Sequence, residues 1–356
     1  MIKVKPNISD MLQYSPPWAH IDRTKYLRLD LNENTLNPPK HVLDSLKNYI
    51  DENKIQMYPE YSSFLLKLSK YVGVGTDHLI LTNGSDQGIE IILRAFLGYN
   101  DKMVIAQPCF PIFEQVARVI NANICGIPYN SNLIFPYNEF VNAIDKDTKL
   151  IVIINPDNPT GASVSLSQIK KILDDNPDKP VLVDEAYFEY TGVTALDYLK
   201  SNENLIITRT FSKAFAMAGL RLGYAICKPD VMKEFYKIRG PFDVNSCAIV
   251  AAEAQLDNDK AWKEYIREIM TVSKPYLERF FDENKVKYYM GSAHFMIVKP
   301  KNRDKAVSFL KDNGILVRPM VAKLIKDTFR MNVGTFEQTK KFTEVYKKYL
   351  EGGYEN

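Results

Sequence analysis

Between residues 79 and 224 the chain alternates short, nearly continuous apolar runs with stretches whose apolar residues recur at helical spacing, and few architectures accept that alternation. "LILTN" leads into "GSDQGIEIILRAF", and "MVIAQP" is followed by "IFEQVARVI". Then come "ANICGIP", "LIVIINP", "SLSQIKKILDD", "PVLVDEAY", "NLIITRT" and "LGYAIC". Unbroken apolar runs separated by helices predict strands buried on both faces, hence a mostly parallel sheet covered on each side by helices. Polar residues collect just after these strands, at 83–86, 155–161, 184–187 and 208–213. Ligands of open α/β sheets bind beyond the carboxyl ends of the strands, so the four clusters are expected to converge on one edge.

The pattern changes further along. About residues 243–284 read as long helices, followed by "KVKYYMG", "HFMIVKP", "AVSFLKDNGILVRPM", "TFRMNVG" and a last helix, "EQTKKFTEVYKKYL". The first forty or so residues, rich in Pro and Asn, read as an extended arm. The expected division is an arm over 1–44 that joins the smaller domain, a large domain over 45–242 and a small C-terminal α/β domain over 243–356. A chain of 356 residues is long enough for both cores.

Composition narrows the function classes. The 46 basic and 43 acidic residues are dispersed, with a net charge of +3 and no basic stripe, so nucleic acid is not an expected partner. "MIKVKPNISDMLQYSPPW" has no apolar signal core and no apolar run reaches membrane-spanning length, so the expectation is a cytoplasmic protein with no membrane partner. Cys109, Cys125, Cys227 and Cys247 are scattered, as are the four histidines, which predicts free thiols and no metal. "GVG" at 73–75 reads as a turn, because it lacks the rest of a dinucleotide fingerprint.

The chemistry concentrates in "TRTFSKAFAMAGLRLGY". Lys213 sits there among small, hydroxylated and apolar residues, with Arg221 eight positions later. Desolvation and nearby cations favour a neutral, nucleophilic amine, which is what a lysine that attacks a carbonyl needs. An aldehyde cofactor such as pyridoxal phosphate makes further demands, and each has a candidate. Gly84, Ser85 and Asp86 open a helix whose free N–H groups and dipole suit a phosphate. Thr210 and Ser212 add hydroxyls, and Arg221 adds a bidentate cation. Asp184, ending an apolar strand, suits a protonated ring nitrogen. Tyr187 and Asn158 are candidate donors to the phenolic oxygen, and Phe110 is a candidate wall for one ring face.

These motifs, with "LTNGSDQGIE", "PCFPIF", "NPDNPTG", "VDEAYFEY", "GPFDVNS", "GILVRP" and "FRMNVGT", span nearly the whole chain. They resemble the fold-type-I pyridoxal-phosphate aminotransferases, most closely the histidinol-phosphate aminotransferase branch. The resemblance implies a mostly parallel seven-stranded sheet flanked by helices, a smaller α/β C-terminal domain and an N-terminal arm. It implies that Lys213 bonds the cofactor and shuttles the proton, with Asp184 and Tyr187 beside it in catalysis. Gly84, Ser85, Asp86, Phe110, Asn158, Thr210, Ser212 and Arg221 complete the cofactor site. Arg330 matches a clamp for the substrate carboxylate, Arg318 a second anion-binding arginine, and Tyr14 and Asn158 further substrate contacts. Tyr58 in "QMYPE" matches a tyrosine that reaches the cofactor phosphate of a partner subunit, which implies a homodimer.

Three positions depart from the branch. Thr35 in "NENTLNPP" replaces a usual proline, "YSPPW" keeps Tyr14 but loses a glycine, and His294 stands where asparagine is usual. The expected activity is transfer of an amino group between glutamate and a small phosphorylated amine or ketone. Histidinol phosphate and a three-carbon ketone such as dihydroxyacetone phosphate are both open as substrates. So are decarboxylation of a phosphorylated amino acid on the same cofactor and, more remotely, a non-enzymatic regulatory role.

Overall fold

The computed structural model describes residues 2–352 except 12, 14–16 and 19. The arm carries little regular structure: the short helix Pro6–Ser9, a 3-10 turn at Arg23–Lys25 and the two-residue strand β1 (Leu27–Arg28). Seven strands follow: β2 (Leu79–Asn83), β3 (Lys102–Gln107), β4 (Asn123–Pro128), β5 (Thr148–Ile154), β6 (Val181–Asp184), β7 (Leu205–Thr210) and β8 (Leu222–Ile226). They form one sheet in the order β2-β8-β7-β6-β5-β3-β4.

All neighbouring pairs are parallel except those of β8, which runs antiparallel to both β2 and β7. An apolar run reads the same in both directions, so only the connection reveals this reversal. Residues 211–221 hold one 3-10 turn, Ala218–Leu220, and fall short of the dozen or so residues a parallel crossover requires. The six like-directed strands therefore end on one edge, and β8 begins there.

Successive strand residues feed two separate apolar cores, as a period of two demands. Val104, Ile151, Ile153, Val181, Val183 and Ile207 pack into one, and Met103, Ile105, Val152, Ile154, Leu182 and Ile206 into the other. Beside β8, a Cβ at Gly223 would stand 2.5 Å from the backbone nitrogen of Ser85. Glycine there lets the first turn of the helix Gly84–Phe96 lie directly on the strand. "GVG" does mark a turn: Gly73, at φ 84°, caps the helix Ser62–Val72.

The C-terminal part contains β9 (Lys287–Met290), β10 (Phe295–Lys299), β11 (Ile315–Leu316), β12 (Arg318–Pro319) and β13 (Phe329–Asn332). Four of these form an antiparallel sheet in the order β12-β13-β10-β9, while β11 pairs in parallel with β1 of the arm. Leu27 N donates to Gly314 O at 2.8 Å, Leu29 N to Leu316 O at 2.9 Å and Asn332 N to Leu29 O at 3.0 Å. The helix Phe336–Glu351 opens with a capping box, Thr335 and Gln338, and buries Phe342, Tyr346 and Tyr349. The helices Lys260–Glu268 and Lys274–Glu283 are joined by a π-helical turn, Ile269–Ser273. Among the described residues, no helix is long and apolar enough to cross a membrane.

At the ends of β6 and β7 the alternation of faces separates two polar groups. Asp184 and Thr208 point to one side, and Glu185 and Arg209 to the other. Arg209 Nη2 lies 2.8 Å from Glu185 Oε2 with both side chains buried, and Thr194 Oγ1 accepts from Arg209 Nη2 at 2.7 Å. The guanidinium also lies 3.7 Å from the centre of the Phe188 ring. Removing one member of such a pair strands the other charge, so Arg209→Met is expected to lower unfolding stability by about 3–5 kcal/mol in urea titration.

Candidate active site

Lys213 follows β7 on the edge where the six strands end, and its Nζ donates to the carbonyl oxygen of Leu31 in the arm at 3.0 Å. Burial lowers its pKa to about 8, helped by Arg330 and Arg221 and opposed by Glu33 and Asp86. The proton is thus held far more loosely than on an exposed lysine, and a minor but useful fraction of the amine is neutral near physiological pH. One strand over, Asp184 is buried, accepts from Thr208 Oγ1 at 2.8 Å and is pushed up to about 7 by burial. The groups that oppose this rise, the Thr208 hydroxyl and the Ala186 backbone N–H, are neutral, so a protonated ring nitrogen would supply a cation that Asp184 can pair with.

Tyr187, fully enclosed and pushed up to about 12 chiefly by burial, accepts from Asn32 Nδ2 at 3.0 Å. Asn158 sits in the turn after β5, where Asp157 Oδ2 accepts from Thr160 N at 3.0 Å and Thr160 Oγ1 at 2.6 Å. The Asn158 side-chain oxygen accepts from Arg330 Nη1, which leaves the amide N–H groups of Asn158 as the donors. Arg330 Nη2 donates to Asp30 O at 2.9 Å. Gly161 closes this turn at φ 75°, and a Cβ at Gly291 would run into its carbonyl, so two glycines let the smaller sheet's loop touch the site turn.

The residues expected to form an anion cup gather where the helix Gly84–Phe96 meets β8. Gly84 N donates to Arg221 O at 3.0 Å, so its N–H is already used, which corrects its expected role as a donor. Its left-handed φ of 72° and the space it leaves for the Arg221 side chain are what the site takes from this glycine. Ser85 and Asp86 carry the N–H groups with no acceptor among the described residues. Arg221, itself at φ 56°, reaches Asp86 Oδ2 at 2.8 Å, Ala218 O at 3.3 Å and Ser212 Oγ at 3.4 Å. Ser212 N donates to Thr210 Oγ1 at 3.1 Å. Phe110 lies on the same edge, at the start of the helix Pro111–Ile120.

Comparisons with known proteins identify the family. A family profile for aminotransferases of class I and II matches residues 24–345. The chain belongs to that family. It is 32% identical over 338 residues to a histidinol-phosphate aminotransferase of Legionella pneumophila, covering 92% of this chain and 90% of the relative. It is 30% identical over 342 residues to a dihydroxyacetone phosphate transaminase of Campylobacter jejuni, covering 93% of each. In structure it is similar to a histidinol-phosphate aminotransferase of Sinorhizobium meliloti in complex with pyridoxal-5'-phosphate. There the TM-score is 0.88 at 20% identity, covering 99% of this chain and 98% of that one.

In this aminotransferase chain Arg318 and Arg330 stand directly opposite each other across β12 and β13, so both project from the same face of the smaller sheet. Tyr58 is 78% exposed and stacks on Phe242 with ring centres 4.3 Å apart. Tyr14 lies outside the described residues. Thr35 replaces the branch's proline with a use of its own, because its N–H and hydroxyl meet Tyr265 OH at 3.0 and 3.2 Å.

The residues that sequence reasoning missed lie mostly in the arm. Leu31, Asn32 and Glu33 enter the site, and Arg23 forks onto Glu33 Oε2 at 2.7 Å and Asp30 Oδ1 at 2.8 Å. Asn34 Nδ2 donates to Ala214 O at 2.9 Å, next to the lysine. The signal for them was the polar triplet "NEN" after the alternating "LRLDL". Thr208 was noted as part of a cluster but not as the group that orients Asp184.

The buried amine of Lys213 has a stability signature. Its pKa falls from 10.5 in the unfolded chain to about 8. Holding it charged therefore costs stability below pH about 8, and the cost fades as pH rises towards the unfolded value. Without cofactor, Lys213→Met is expected to be more stable than wild type at pH 7 by on the order of 2 kcal/mol. Chemical denaturation across pH 7–10 should show that advantage shrinking above pH about 8.

Proposed function

We propose that the protein is a pyridoxal-phosphate-dependent aminotransferase that moves an amino group between glutamate and a small phosphorylated amine or ketone, of the histidinol-phosphate type. The observation that carries the substrate class is the cross-strand pair Arg318 and Arg330, two guanidinium groups on one face beside the Lys213 site. Like charges opposite each other on a sheet repel. An anionic substrate is what two such cations on one face favour, and two bidentate cations match a carboxylate in one half-reaction and a phosphate in the other.

The residues present fit the cofactor. Asp184 would hold its ring nitrogen protonated, Tyr187 and Asn158 would donate to its phenolic oxygen, and Phe110 would wall one face. The Ser85 and Asp86 N–H groups, Thr210, Ser212 and Arg221 would hold its phosphate. When bound, it supplies an electron sink that weakens the bonds to the substrate's amine-bearing carbon. Lys213 Nζ would take a proton from that carbon and return it two atoms away, across the nitrogen, as a 1,3-shift requires. Arg330, fixed by Asn158 and by Asp30 O, would orient the carboxylate so that the labile bond faces the amine.

Added pyridoxal phosphate is expected to give wild-type protein a visible absorbance band that Lys213→Ala lacks, along with turnover. Asp184→Asn should keep cofactor yet lose about 100-fold or more in kcat, because an amide cannot pair with a buried cation. Near-native turnover in that variant would remove Asp184 from the mechanism.

Arg318→Ala is expected to reduce kcat/KM for the phosphorylated substrate by about 30-fold or more while changing the glutamate half-reaction far less. A panel of phosphorylated ketones and amines, followed by half-reaction spectroscopy, then distinguishes histidinol phosphate from dihydroxyacetone phosphate, the substrate named in the Campylobacter relative. Release of carbon dioxide in place of glutamate-dependent conversion would make the enzyme a decarboxylase.

The site is proposed to be shared between two subunits. Tyr58, Met57, Ile55 and Phe242 form an exposed apolar patch of the kind that marks an interface. In the dimer Tyr58 would reach the partner's cofactor phosphate. Sedimentation should find a dimer, and Tyr58→Ala should weaken cofactor retention; an active monomer would exclude the shared site.

A further inference from the structure

His294 lies between β9 and β10 and is fully buried. Its ring stacks on Tyr190 with centres 3.8 Å apart and planes 12° apart, and it stands 5.5 Å from the Tyr187 ring. Its Nε2 is 3.3 Å from the carbonyl oxygen of Asn32. A carbonyl only accepts, so Nε2 carries the hydrogen and Nδ1 is bare in the neutral ring. Burial holds the pKa of His294 well below the usual histidine range. The facing cations Lys213, Arg330 and Lys274 push the same way, and the Asn32 carbonyl opposes them. A ring that stays neutral and keeps one tautomer is a fixed donor rather than an acid or base.

What that donor holds is an uncommon backbone conformation. Asn32 has φ 55°, in the left-handed region that asparagine enters more readily than other non-glycine residues. Its carbonyl takes the His294 bond, while its Nδ2 donates to the Tyr187 hydroxyl at 3.0 Å. Nδ2 can only donate, so the Tyr187 oxygen is the acceptor in that bond. The hydrogen of the Tyr187 hydroxyl is thereby left to point to a different acceptor.

We propose that His294 is a positioning residue: acting through Asn32, it sets the Tyr187 hydroxyl so that its hydrogen is presented to the phenolic oxygen of the bound cofactor. The inference rests on the assignment of pyridoxal phosphate to this site. It explains why a buried histidine stands on a loop of the smaller sheet with one nitrogen committed to the arm.

The test uses full-length protein loaded with pyridoxal phosphate and reads the pH midpoint of the bound cofactor's visible band. A donor at the phenolic oxygen favours the deprotonated form, which carries most charge there, so a loosened Tyr187 moves the midpoint upward. His294→Phe keeps the stack on Tyr190 but removes the Nε2 donor, and is expected to raise the midpoint by about half a pH unit, roughly one hydrogen bond's worth. In a Tyr187→Phe background the same replacement should add nothing, because the effect passes through that hydroxyl. An unchanged midpoint in His294→Phe, or an equal shift persisting without the hydroxyl, overturns the proposal. Should His294→Phe fail to fold, Asn32→Ala takes its place, with the same upward shift expected and an unchanged midpoint again overturning it. A wild-type protein that takes up no cofactor removes both this inference and the proposed function. A loaded wild type with unshifted variants removes this inference alone.

Discussion

Keeping one amine out of water is the constraint on which the rest of this structure depends. An ammonium group left in the open has no reason to loosen its proton near neutrality, and Lys213 does so, to a pKa of about 8, because the fold closes over it and sets Arg330 nearby. That closure has to be built from groups that do not pair the charge too well. The Leu31 carbonyl is such a group: it accepts from Nζ without bringing a full negative charge. The carboxylates within reach are each engaged elsewhere, Glu33 by Arg23 and Asp86 by Arg221.

The large sheet solves a second problem by alternation. Two acidic residues follow one another at the end of β6, and neighbouring like charges in a buried place would compete for the same surroundings. Because successive residues face opposite sides, Glu185 is neutralised by Arg209 in one core, while Asp184 on the other side has neutral partners, the Thr208 hydroxyl and the Ala186 backbone N–H. One face is a closed structural ion pair. The other holds the carboxylate proposed to meet the cofactor's ring nitrogen.

How much of this could be seen in the sequence follows from the range of each contact. The strands, their helices and the polar clusters at 83–86, 155–161, 184–187 and 208–213 are local patterns, and the structure gathers them on one edge. The direction of β8 was hidden, since apolar runs carry no arrow. The used N–H of Gly84 was hidden too, because its acceptor is the carbonyl of Arg221, far along the chain. The arm was the least legible part. Its place depends on Leu27 pairing with Ile315 and on Asn332 bonding to Leu29, across nearly the whole length of the chain. Residues 31–34 therefore read as loop, although they touch the lysine, the tyrosine and the backbone beside them.

The same arm has a mechanical consequence. Leu27 and Leu29 are sewn into the smaller part of the molecule, and two residues later Leu31 and Asn32 hold Lys213 and Tyr187 of the larger part. An extended stretch this short has almost no slack, at roughly 3.3–3.6 Å per residue. It behaves as a tether rather than a hinge. A shift of the smaller sheet is delivered along a few covalent bonds of the arm and one hydrogen bond to each of the groups proposed to do the chemistry, with no loop in between to absorb it.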